Sequence, residues 1–186
     1  DRLNELVKSL YTKHQTALDF IIDNLPDTRQ EVMNTLQEMI AESGWIQGST
    51  NAKFVRFLPP NLDAQVRRYS FRNGWKKGES LLLEFVISIN NADRLNLVFK
   101  PVISPGGASD ENYRNGLIDA MSKIEGASTP TGTHWVVHFS IKKVIPKISD
   151  LSVEERKKKL REFWPEVEEL TKKIESGLTP YLISIT

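Results

Sequence analysis

The chain has 186 residues, 39% of them hydrophobic and 26% charged, with a formal net charge of +1. Those proportions suit one fair-sized globular domain, or a domain with a helical appendage, and exclude a global field that draws the molecule to nucleic acid or membrane. Any electrostatic function is therefore local. The absence of cysteine excludes disulfides and thiolate metal sites and fits a cytoplasmic protein.

No apolar run approaches the ~20 residues of a membrane span, so no membrane role is expected. The polar, periodic opening is not a signal peptide. Because Asp1 is not preceded by an initiator methionine, the chain is expected to be processed or part of a longer one, with chemistry lying upstream.

Residues 2–24 carry Leu3, Leu6, Val7, Leu10, Leu18, Ile21, Ile22 and Leu25 at helical spacing, which predicts an amphipathic helix. Pro26 pushes Leu25 out of helical geometry, and Asp27 or Thr28 can cap a second helix over 28–43. That helix has Val32, Leu36, Met39 and Ile40 on one stripe and stops at Ser43-Gly44. So short a turn predicts an antiparallel helical hairpin over 1–44. The remainder, 45–186, reads as an α+β domain forming one compact unit with the hairpin.

The period then changes. KFVRFLPP reads as a short strand and 65–72 as another. Residues 80–89 place Leu81, Leu83, Phe85, Ile87 and Ile89 on one face, with Leu82, Glu84, Val86 and Ser88 on the other. Asn90 to Asp93 make a hairpin turn, and Leu95, Leu97 and Phe99 return on the next strand. A helix is expected at about 110–124, capped by Ser109 or Asp110. A strand over 133–141 would place Trp135, Val137, Phe139 and Ile141 on one face. Ser152 caps a charged helix, which Pro165 kinks or restarts. Tight turns between consecutive strands argue a mainly antiparallel sheet flanked by helices, an α+β fold.

The stretch QVRRYSFRNGWKKGES, residues 65–80, sets Arg67, Arg68, Arg72, Lys76 and Lys77 among Tyr69, Phe71 and Trp75, with no acid before Glu79. Basic residues interleaved with aromatics suit a polyanion surface, with cations on phosphates and rings on sugar or base. The competing reading is an ordinary hairpin with Phe71 and Trp75 in the core. ERKKKLREF, residues 155–163, reads better as the solvated face of a helix burying Leu160, Phe163, Trp164 and Val167 than as a second basic surface.

No metal or catalytic constellation emerges, and no cofactor is expected. His134 and His138 on a strand would sit ~13 Å apart, too far to share a metal. His14 reads as an interface residue. Gly106-Gly107 lacks the spacing and lysine of a phosphate loop. Pro26-Asp27 and Glu155-Arg156-Lys157 spell the letters of a two-metal nuclease signature. That chemistry needs carboxylates and lysine converging from adjacent strands, whereas these lie in an interhelical turn and a helix's first turn.

The segments KHQTALDFIIDNLPD and KFVRFLPPNLD, with the second helix between them, resemble the C-terminal, non-catalytic region of bacterial proteins of the PD-(D/E)XK nuclease superfamily. The later strand–hairpin–strand and the helix containing Tyr113-Arg114 are similar too. The resemblance implies that the catalytic Asp, Asp/Glu and Lys lie upstream of Asp1 and that this chain is an accessory part. Whether it is itself enzymatic stays open.

Three functions follow as expectations. The first is DNA contact through Arg67, Arg68, Arg72, Trp75, Lys76 and Lys77. The second is a protein-interaction or oligomerisation module that self-associates through the N-terminal helix. The third is a small-molecule pocket between sheet and helices.

Overall fold

Both faces of the 81–89 strand are partly apolar, so at least one must be covered by helices. The computed structural model describes residues 2–23, 27–69 and 74–185 and has this arrangement. Strands β1 (Ile46–Gln47), β2 (Phe54–Leu58), β3 (Leu81–Ile89), β4 (Arg94–Ile103) and β5 (Ile141–Pro146) form one antiparallel sheet in chain order. Helices α1 (Arg2–Asp23) and α2 (Thr28–Glu42) precede it. Helix α3 (Pro60–Gln65) follows β2, α4 (Glu111–Ser122) follows β4, and α5 (Val153–Ser184) follows β5. The class is α+β, as expected.

The helix side of the sheet holds an aromatic cluster. Phe57, Phe85 and Phe99 sit on three neighbouring strands, fully buried, with ring centroids 4.9–6.0 Å apart. Trp45 stacks on Phe57 at 4.6 Å, and Trp164 of α5 lies 5.9 Å from Phe85. Such rings carry large apolar area and gain further from offset and tilted packing.

Helix α2 is bounded as its sequence predicts. Asp27 accepts from the Gln30 backbone N–H at 3.1 Å. At the other end Gly44 adopts φ +70°, and the Trp45 and Gly44 amides donate to the Ile40 and Ala41 carbonyls. This left-handed stop is why a glycine follows Ser43. Residues 24–26, with Leu25 and Pro26 of the expected turn, lie outside the described residues, as do the side chains of Leu18, Ile21 and Ile22.

Helix α5 is opened by Ser152 and Glu155, which bond each other's backbone in a capping box. Its apolar stripe buries Leu160, Phe163, Val167 and Leu170. Its cations pair with the acids of α2: Arg156 with Glu31, Lys157 with Glu38 at 3.4 Å, and Arg161 with Glu42 at 3.0 Å. Arg161 holds the exposed Glu42 carboxyl below its usual range through their hydrogen bond.

Three expectations are corrected. Of the strand expected over 65–72, the described residues 65–69 do not form one. After Pro60 starts α3, the chain makes only a single bridge, Arg68 to Glu79. Residues 133–140 are irregular, because Thr131 pairs back onto Val137 while Val136 exchanges both backbone bonds with Ile103. Val136 is therefore buried and Trp135 is not. Helix α5 does not restart at Pro165 but continues through it. Pro165 and Arg161, whose carbonyl it leaves without an i+4 donor, are both exposed, while buried residues on both sides hold the helix to the core.

Because Phe85 touches the rings of both neighbouring strands and of α5, Phe85→Ala is expected to cost about 3–5 kcal/mol. Urea denaturation should show a lower midpoint with an unchanged slope.

Candidate functional site

The opposite face of the sheet carries charge. Strand register sets Arg56 of β2 and Lys100 of β4 on either side of Glu84 of β3. Arg56 Nε donates to Glu84 Oε2 at 2.5 Å, and Lys100 Nζ lies 3.6 Å from Oε1. Arg56 Nη1 also donates to the Ser49 carbonyl at 3.1 Å. Arg56 and Glu84 are 7% and 4% exposed. Two cations around one carboxylate leave this floor with one net positive charge.

Aromatic rings enclose it. The Arg56 guanidinium lies 4.4 Å from the Phe54 ring and 5.5 Å from that of Trp75. Trp75 in turn sits 4.9 Å from Trp135. Together these residues line a cavity of about 570 Å³ whose floor is Arg56, Glu84 and Lys100. The middle of the layer between sheet and helices is filled by the phenylalanine cluster.

The walls are held by specific bonds. Arg114 of α4 donates to the carbonyls of Ser104, Thr133 and His134, tying down the loop that ends in Trp135. On the other wall, the Gly78 amide closes a turn onto the Trp75 carbonyl at 2.9 Å, with Lys76 and Lys77 at its two central positions. Gly78 has φ +74°, and a Cβ there would meet the Tyr69 carbonyl at 2.6 Å, so this turn needs glycine.

The structure separates the sequence candidates. Arg68 is paired with Asp63 at 2.5 Å, and Arg67 lies 4.7 Å from the Tyr113 ring. Phe71 and Arg72 lie outside the described residues. Trp75 is a pocket wall, while Lys76 and Lys77 are exposed and carry no ion pair among the described residues. Burial pushes the Tyr69 phenol above its usual range, with Tyr113 and Asp110 adding to the shift and Arg114 and Arg67 opposing it. The basic helix is largely spoken for, since Arg156, Lys157 and Arg161 face the acids of α2.

The remaining motifs take structural places. His138 is buried with Nδ1 3.3 Å from the Ser128 carbonyl, His134 is exposed beside Trp135, and His14 sits at a kink of α1. The Gly107 amide donates to Asp110, so an acid already occupies that turn. Among the described residues no group of three His, Cys, Asp or Glu is placed to hold a metal ion, and no helix is long and apolar enough to cross a membrane.

Phe54, Arg56, Glu84, Lys100 and Trp135 were not among the sequence candidates. A signal existed in Glu84, a lone acid inside an apolar strand. Counting back from the Asn90–Asp93 turn places Lys100 opposite it.

Comparison with protein-family models, curated proteins and solved structures yields no match. Replacing Glu84 alone would leave the Arg56 charge buried and uncompensated, so Glu84→Gln is expected to cost about 3–5 kcal/mol, and Arg56→Met/Glu84→Leu together markedly less. Denaturant midpoints of the single and double variants provide the check.

Proposed function

We propose that this chain is a non-catalytic accessory part of a PD-(D/E)XK nuclease-like protein and that it contacts DNA through the open face of its sheet. The observation that carries this reading is the turn bearing Lys76 and Lys77. It is exposed, has no ion pair among the described residues, and adjoins Trp75, a wall of a cavity with a net positive floor. The contact surface is thus shifted from Arg67 and Arg68, whose guanidinium groups have protein partners, to the lysine turn and the cavity beside it. The resemblance of residues 13–27 and 53–63 supplies the nuclease-like part of the reading.

Fluorescence anisotropy across a salt series tests it. Lys76→Ala/Lys77→Ala should weaken binding and flatten the dependence of log K on log salt by about 0.7–0.9 for each phosphate the variant no longer neutralises. Equal affinity and equal slope in variant and wild type would reject this surface.

A second reading rests on α1. Leu3, Leu6, Val7, Leu10 and Tyr11 are 43–66% exposed at i, i+3, i+4, i+7 and i+8, an apolar stripe suited to self-association. Light scattering should then find a dimer that Leu10→Asp dissociates, and a wild-type monomer at high concentration would reject it.

A further inference from the structure

The cavity on the open face has features that restrict its occupant. Its volume of about 570 Å³ falls within the roughly 300–1,000 Å³ of small-ligand pockets. Its aromatic walls suit a flat ring. Those rings would also suit a cation, but that place is taken. The Arg56 guanidinium itself lies against Phe54 and Trp75, and Lys100 adds a second positive charge. A cationic guest would meet both.

The unmet valence points the other way. Glu84 is shared between Arg56 and Lys100, and at 3.6 Å the Lys100 ammonium is beyond hydrogen-bond range of the carboxylate. It retains donors for an anion, which would balance the floor's net charge in a partly dehydrated site. A flat ring joined to an anion is the chemistry of a nucleotide. The next chain element beyond the Trp75 wall is the turn bearing the exposed Lys76 and Lys77.

We propose that this cavity seats one unpaired nucleotide of a DNA strand. Its base packs on Trp135 between the aromatic walls and its phosphate pairs with Lys100. The proposal rests on the DNA-contact reading and adds that the strand must be single at this point, because a base inside a duplex cannot reach the walls. The Trp135 wall is held by the protein's own bonds, from Arg114 and through the Val136–Ile103 pair.

The test compares a blunt duplex with the same duplex carrying a short oligothymidylate overhang, together with thymidine 5′-monophosphate followed by tryptophan fluorescence. The overhang should raise affinity, and Trp135→Ala should remove most of that gain, about tenfold. Lys100→Gln should remove it too, while Lys100→Arg, which keeps the charge, retains it. The mononucleotide should quench the wild type and leave Trp135→Ala unaffected. Trp135 is 37% exposed, so its truncation leaves the core intact.

Salt-sensitive binding that depends on Lys76 and Lys77 but ignores both the overhang and Trp135 would overturn the nucleotide seat and keep the DNA reading. Quenching by the mononucleotide with no affinity for either DNA would support the seat and sink the DNA reading. No response to any probe would overturn both.

Discussion

The register between β3 and β4 is the constraint on which the rest of this molecule depends. With Glu84 opposite Lys100, Phe85 falls opposite Phe99 on the other face. A slip of one residue in either strand would turn its charged residue into the helix layer and its phenylalanine into solvent. The core and the charged floor are therefore not separate designs. They are the odd and even positions of the same strands, specified together by the penalty for burying an unpaired charge.

That coupling explains how a charged row survives inside an apolar sheet. Arg56 and Glu84 are almost wholly buried, a costly state for either alone. Each is partnered by the other, by the Ser49 carbonyl or by Lys100, and the guanidinium plane is covered by rings. A buried pair bonded in this way holds Arg56 and Glu84 in fixed positions, which a binding floor requires.

The β2–β4 part of the sheet and helices α2, α4 and α5 were legible in the sequence because their signals are local, whereas β1, α3 and β5 were not read. Alternation marked β3, the Asn90–Asp93 turn fixed its return strand, and Asp27, Gly44 and Ser152 bounded their helices. The site was less legible because it is made of distant pieces. Arg68 looked like a free cation until the structure placed Asp63 of α3, five residues earlier, beside it. Trp135 looked like a strand residue because its neighbours alternate, yet the Thr131–Val137 fold-back and the Arg114 clamp decide where it points. Short apolar alternation is ambiguous when tertiary contacts override it.

Helix α5 has a consequence for how the chain assembles. The five strands follow one another in space as they do in sequence, and two of the four pairings, β1 with β2 and β3 with β4, close short loops. The helix that covers the sheet's apolar face, and that pairs with α2 across 119 residues or more, comes last among the described elements. As the chain emerges during synthesis, Phe57, Phe85 and Phe99 are thus made well before their cover, leaving a sticky nascent surface until residues 153–184 arrive to close it.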